Sequence, residues 1–397
     1  MKINKKFIIT IIATICATLT QAQISPEIDD GGTAFTLLSQ KKDGARIIST
    51  GVPLLLIAPD SRAGALGDLG VATTPDANSN HWNAAKLAFA DKNFAATFTY
   101  SPWLREIVDG IGLAYLAGYY KLNDRSAVGA SLTYFSLGDI QFTDNQGNSI
   151  GIYSPNEFAI DMSYSMKLSG NLSASVTGRY IRSDLTQGQD VAGSATHAAN
   201  AVAADLGIYY QQNISSEHAQ QIALGAQISN LGNKISYSDD NTESSFLPAN
   251  LRVGGRYSYE MDQFNKISFM LDLNKLLVPT PPIRDPDDNT KIVYGKENNV
   301  GVVKGIFQSF YDAPDGFKEE LQEINISFGT EYWYNNILAV RGGYFYENKK
   351  KGDRQYLTLG LGLKYNSLGI DLSYLVPTAQ NNNPLKNTLR VSLSFDF

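Results

Sequence analysis

TLRVSLSFDF, residues 388–397, closes the chain and decides the reading of the rest. Leu389, Val391, Leu393, Phe395 and Phe397 alternate with Thr388, Arg390, Ser392, Ser394 and Asp396, the period of a strand with one apolar and one polar face. A soluble sandwich holds such strands too. A terminal strand ending on Phe, in a chain that opens with an export signal, is instead the pattern of a bacterial outer-membrane barrel. The same alternation should then recur upstream, with lipid as the solvent.

The opposite end supplies the export signal. Lys2, Lys5 and Lys6 precede an apolar run from Phe7 to Leu19, and Thr20-Gln21-Ala22 offers a small-residue cleavage site, so residues 1–22 read as a signal peptide. Thirteen apolar-biased positions fall short of the roughly 20 that a membrane-crossing helix needs. The single cysteine, Cys16, lies inside this segment, which predicts a mature chain without thiol or disulfide chemistry. Its removal takes three lysines and no acids, so the formal charge moves from −6 to −9. Nucleic-acid binding, which needs a basic face, is disfavoured. At 43% hydrophobic with 34 Gly and 22 Tyr, and with no apolar run long enough to span as a helix, the chain can cross a bilayer only as a closed barrel.

Fourteen runs carry the two-residue period, near 94–100, 111–121, 126–137, 156–168, 171–183, 202–213, 220–231, 249–260, 265–277, 322–334, 337–347, 354–365, 367–376 and 388–397. Their spacing tells more than any one run. Long connections (101–110, 138–155, 184–201, 232–248, 278–321, 348–353, 377–387) alternate with short ones (122–125, 169–170, 214–219, 261–264, 335–336, 366). Short periplasmic turns and long extracellular loops produce this alternation, and a sandwich has no reason to keep it. The reading is an all-β, antiparallel, fourteen-stranded transmembrane barrel over 94–397 with both chain termini in the periplasm. Tyr119-Tyr120, Tyr209-Tyr210, Tyr257 with Tyr259, and Tyr332-Trp333-Tyr334 are expected in the aromatic girdles at the headgroup level.

Residues 23–93 precede the first strand. Ser61-Arg62-Ala63-Gly64-Ala65-Leu66-Gly67-Asp68-Leu69-Gly70 is rich in small residues, as close packing against backbone requires. A fourteen-stranded lumen is wider than its own side chains can fill. This segment is therefore expected to plug it, with Arg62 and Asp68 facing the inward Arg179, Arg252, Arg341 and Asp371.

The stretch GVPLLLIAPDSRAGALGDLGVATTPDANSNHWNAAKLAF, residues 51–89, resembles the amino-terminal motif of the PorV family, within the wider group of barrels similar to the FadL fatty-acid transporter. The sharpest part is Ala58-Pro59-Asp60-Ser61-Arg62-Ala63, followed by Gly67 and then Asn83 and Ala84. The resemblance implies an outer-membrane component of the type IX secretion system of Bacteroidetes. It implies a partner barrel, the SprA (Sov) translocon, and binding of the C-terminal signal domains of secreted cargo. Delivery to an attachment complex containing the sortase-like PorU would follow, with no reaction of its own. The shared architecture also permits a different reading, a transporter of a hydrophobic small molecule.

Catalytic chemistry has little to stand on. His81, His197 and His218 are the three histidines, and none has a nucleophile at readable spacing. Asp285, Asp287 and Asp288 look like a hard-cation cluster, but Pro286 interrupts them and no glutamate follows at the spacing of a calcium loop. Gly342-Gly343 and Gly360-x-Gly362 lie in strands with no helix after them and read as barrel packing. No catalytic group, metal or cofactor is therefore assigned. The 278–321 loop is far longer than closure requires, and loops of that length are usually functional or disordered. Its Phe307, Phe310, Tyr311 and Phe317 are candidate contacts for partner or cargo, or else they fold back over the barrel mouth. Trp103 and Leu104 in the first loop form a second apolar candidate. Phe395 and Phe397 are expected to serve as the barrel-insertion signal.

Overall fold

The computed structural model describes residues 45–397 apart from 103–109, 144–148, 189–194, 216–218, 239–243, 286–287, 289 and 379–387. The expected signal segment lies outside the described residues, as do Trp103, Leu104, His218 and Asp287.

Along the chain the strands are β1 (Phe94–Pro102), β2 (Ile111–Asn123), β3 (Ser126–Leu137), the small hairpin of β4 (Ile140–Thr143) and β5 (Ser149–Tyr153), β6 (Asn156–Lys167), β7 (Leu172–Asp184) and β8 (Ala199–Ser215). There follow β9 (Gln220–Gly232), β10 (Asn250–Glu260), β11 (Asn265–Leu276), a second hairpin of β12 (Ile283–Arg284) and β13 (Ile292–Tyr294), β14 (Ile324–Tyr334), β15 (Leu338–Tyr346), β16 (Gln355–Tyr365), β17 (Leu368–Pro377) and β18 (Leu389–Asp396). Without the two hairpins, fourteen strands among the described residues close into one antiparallel barrel in which every neighbour but the closing pair is a chain neighbour. The closing seam joins β1 to β18, pairing Phe98 with Leu393, and it is tightened where Phe397 N–H donates to Phe94 O at 2.9 Å. Closure leaves no strand edge unpaired, the condition for sheet in lipid.

Alternation fixes the two faces. Phe98, Leu116, Leu132, Ile160, Leu224 and Leu361 face outward, while Thr99, Ser131, Asp161, Glu331, Thr358 and Arg390 are buried in the lumen. The same alternation corrects the girdle expectation for adjacent tyrosines. Of each pair one ring must turn inward: Tyr120 faces out and Tyr119 in, and Tyr209 is buried against Phe89 at 5.8 Å. Links at one end of the barrel have two to four residues and at the other eight to forty-seven. Asn335 and Asn336 in one short turn both adopt left-handed backbone, at φ 53° and 52°, as a tight Asn-Asn hairpin requires.

Residues 45–93 run along the inside of this wall. Arg46 N–H donates to Lys350 O at the long-loop end, and Asn93 N–H donates to Phe397 O at the short-turn end. Four short helices punctuate the path: η1 (Pro53–Leu56), α1 (Ser61–Gly64), α2 (Ser79–Trp82) and η2 (Ala84–Phe89). Arg46 and Phe397 thus lie at opposite ends of the barrel. No helix among the described residues is long and apolar enough to cross a membrane.

Candidate functional site

The connection between β11 and β14 is built, not slack. Leu277, Val278 and Thr280 are buried at its start, where Pro279-Thr280-Pro281-Pro282 stiffens the exit from the barrel. The β12–β13 hairpin follows, then two helices that the sequence reading missed, α3 (Val302–Gln308) and α4 (Phe317–Gln322). The signal for α4 was present: Gly316 at φ +68° breaks the preceding turn, and Glu319 and Glu320 occupy the first turn, where the helix dipole favours acids.

Polar groups hold this structure to the barrel mouth. Lys275, at the outer end of β11, reaches Glu320 at 2.9 Å and Glu323 at 2.6 Å. Lys351 reaches Glu319 at 2.8 Å and Glu323 at 2.7 Å, and Thr280 donates its hydroxyl to Glu323 at 2.6 Å. Arg46, from the inner segment, donates to Glu319 at 2.7 Å and to Asp315 at 2.8 Å. Burial alone would raise the Glu319 carboxyl, but hydrogen bonds from Arg46, Lys351 and the Asp315 N–H outweigh it and hold the group down at about 2. Asp312 lies in the same layer, with no ion pair among the described residues. Burial pushes it up to about 6, with Glu320 and Glu323 adding to the rise against the Gln308 hydrogen bond. Breaking one partner out of a buried pair costs on the order of 3–5 kcal/mol, so these pairs fasten α4 to the barrel mouth as one side of a platform.

With its acids turned inward, the platform turns its apolar side chains out. Phe317 is 77% exposed, Phe307 66%, Tyr311 60% and Phe310 45%, joined by Val303 at 70%. Lys296 sits 3.7 Å from the Tyr311 ring centre. Phe310, the least exposed of these rings, has its centre 5.9 Å from Lys275 Nζ at the barrel mouth. Gln308, Ser309, Glu319 and Glu320 take the inward positions. Trp103 and Leu104 lie outside the described residues.

Each motif residue of the inner segment has a structural task. Asp60 caps α1 through the Ala63 N–H at 2.9 Å and accepts from Trp82 Nε1 at 2.7 Å, while the Ser61 N–H donates to Ser392 Oγ at 2.9 Å. Arg62 forks onto Glu331 at 2.9 and 3.0 Å and also reaches Asp76 at 2.9 Å. Gly67 donates its N–H to Thr358 Oγ1 at 2.9 Å, and Asn83 donates to Val71 O and Ile208 O while capping Ala85 N–H. Arg341 pairs with Glu331 and Asp371, Arg179 with Asp161 and Asp205, and Asp68 with Arg390. Arg252 differs from this paired pattern: it donates to Asn274 and lies 4.5 Å from the Trp82 ring centre.

Besides its small and polar residues, 58–90 buries Leu66, Leu69, Val71, Trp82, Leu87 and Phe89, and 52–57 is apolar throughout. Val52, Leu54, Leu55 and Ile57 pack on an apolar strip of wall formed by Leu113, Tyr115, Ile181, Ala199 and Ala201, under Ile235 and Leu247 of an outer loop. His81 and His197 are not brought together. His81 stands edge-on to Trp82 and Tyr115, whereas His197 lies in the 185–198 loop beside Ala198 O. Asp285 pairs with Lys291, and Asp288 accepts from the Thr290 N–H and hydroxyl. Among the described residues no three metal-ligating side chains gather.

The family model described as "Type IX secretion system protein PorV" matches residues 39–283. No curated protein matches the sequence. Among solved structures, a Pseudomonas aeruginosa FadL homologue is 11% identical with a TM-score of 0.45, over 89% of this chain and 100% of that one. The Ralstonia pickettii toluene transporter TbuX is 14% identical with a TM-score of 0.46, over 85% and 98%. The CymD monoaromatic hydrocarbon channel is 14% identical with a TM-score of 0.49, over 85% and 97%.

Proposed function

The chain belongs to the PorV family of type IX secretion system proteins, and on that premise we propose that this outer-membrane barrel is a non-enzymatic docking protein for secreted cargo. In this reading it receives the C-terminal signal domains of cargo leaving the SprA (Sov) translocon and passes them to the PorU-type attachment complex. The short-turn end, with Phe395 and Phe397 as insertion signal, faces the periplasm, and the long loops face the outside. Residues 1–22 are the export signal, and 45–93 close the lumen.

One observation carries the docking role: the α3–α4 platform is pinned by buried ion pairs on one side and leaves Phe307, Tyr311 and Phe317 bare on the other. Exposed aromatics on a preorganised surface suit a protein contact, because little ordering entropy is lost on binding. The rival, a conduit for a hydrophobic small molecule, needs a vacant apolar pocket beneath the loops, and the apolar wall there is covered by Val52, Leu54 and Leu55. Affinity purification of the tagged protein from its own outer membrane, with partners identified by mass, tests the proposal. A very large barrel and sortase-like subunits should copurify. Their absence, with lipid or a small hydrophobe retained instead, would favour the rival.

A further inference from the structure

The inner segment has two halves held in different ways. From residue 58 to 90 it is locked by buried polar bonds to the wall: Gly70 and Val71 N–H both donate to Asp272, and Asn80, Asn83 and Arg62 reach strands on different sides of the barrel. From 46 to 57 the contact with the wall is mainly apolar, with Leu54 N–H donating to the Glu157 carboxylate of β6. Apolar contact holds Val52, Leu54 and Leu55, and two ties lead to the docking platform. Arg46 forks onto Glu319 of α4 and reaches Asp315 just before it. Gly51 N–H donates at 2.8 Å to the carbonyl of Phe246, whose ring lies under Gly305 of α3. Where the second tie meets the apolar contact, Val52 sits at φ 51°, left-handed backbone that a β-branched side chain rarely adopts.

We propose that residues 46–57 are a strap that couples the α3–α4 surface to the outer half of the lumen. A partner that shifts either helix pulls on Arg46 or Gly51, and Val52 returns to ordinary backbone as the Leu54–Leu55 turn leaves its wall. Residues 58–90 stay locked meanwhile, so the movement uncovers the apolar strip without opening a path through the barrel. The coupling to cargo rests on the docking reading above; the strap itself does not.

A single-thiol assay tests it, because Cys16 is the only cysteine and lies in the expected signal segment. Leu55→Cys and, as reference, Ala63→Cys are placed in the purified full barrel and labelled with a membrane-impermeant maleimide. Both positions are buried and should label slowly. Adding Arg46→Ala should speed labelling at 55 by tenfold or more and leave 63 unchanged, and Arg46→Lys should restore most of the protection. Equal labelling at 55 with and without Arg46 overturns the strap. If Arg46→Ala lowers the folded fraction by heat-modified gel mobility, Asp315→Asn, which weakens the same anchor from its exposed side, should give a several-fold rise, and no rise again overturns it. Lost copurification of partners with normal strap behaviour removes the docking reading alone, whereas intact copurification with unchanged labelling removes the strap alone.

Discussion

Arg62 and Glu331, 269 positions apart in the chain, meet in a two-pronged ion pair, Nη2 to Oε1 at 2.9 Å and Nε to Oε2 at 3.0 Å. Arg341 reaches the same carboxylate at 2.7 Å from the neighbouring strand. One buried acid thus holds the inner segment and the wall together. Glu331→Gln would leave two buried guanidinium groups facing an amide. Removing one partner of a buried pair costs on the order of 3–5 kcal/mol, so the variant should lose its folded gel mobility at a lower temperature and unfold at lower urea. A shift no larger than that of a surface Glu→Gln would show that the pair is a bystander.

Gly343 lies where the inner segment comes closest to the sheet: a Cβ there would stand 2.1 Å from the carbonyl carbon of Leu66 and 2.2 Å from Gly67 N. Backbone on both sides leaves nothing flexible to yield. Gly343→Ala should cost about 1–3 kcal/mol through overpacking and loosen α1. Gly178→Ala is the control, since nothing lies within 4 Å of its Cβ position, and its effect should stay within about 0.5 kcal/mol. Urea midpoints of the two variants in matched detergent decide the matter.

Close approach of this kind also explains what could be read in advance. The alternation in 388–397 and the rhythm of long and short links were sufficient for the barrel, because period two and the lengths of membrane crossings are local properties of the chain. Arg62 and Asp60 could be singled out but not partnered, since Glu331 and Trp82 are set by register across the lumen rather than by spacing. The platform was missed for a different reason. Its α4 is six residues long, too short for helical periodicity to stand out, and its stability comes from Lys275, Lys351 and Arg46, which lie far away in sequence. The apolar turn at 53–56 was in plain view as Leu54-Leu55-Leu56, and only its position over an apolar wall gives it meaning.

The platform anchor should have a pH optimum on the acid side of neutral. Asp312 is raised to about 6 from an ordinary 3.8, so folding disfavours its charge; that penalty is complete above pH 6 and fades as pH falls toward 4. Glu319 is lowered to about 2 from 4.5, so its stabilisation is complete above about 4.5 and is lost as pH falls toward 2. Hydrogen exchange of 317–323, corrected for intrinsic rates, should therefore show protection rising from pH 7 to about 4.5 and falling below it. Asp312→Asn should abolish the rise and Glu319→Gln the fall. Protection that declines steadily from pH 7 would contradict the assignment.

Docking and stability should separate at the exposed rings. Phe307 and Phe317 contribute little to the fold, being 66% and 77% exposed, so Phe307→Ser with Phe317→Ser should leave the urea midpoint within about 0.5 kcal/mol of the parent. If they are contact anchors, each is worth on the order of 2 kcal/mol in binding, about 30-fold in affinity, and capture of cargo C-terminal domains in a pull-down should fall below detection in the double variant. Ile337→Ser, on an exposed ring-free side chain at the short-turn end, should leave capture unchanged. Equal capture by all three proteins would remove α3 and α4 from the interface, and the search would move to the remaining outer loops, beginning with the β4–β5 hairpin and its outward Ile152.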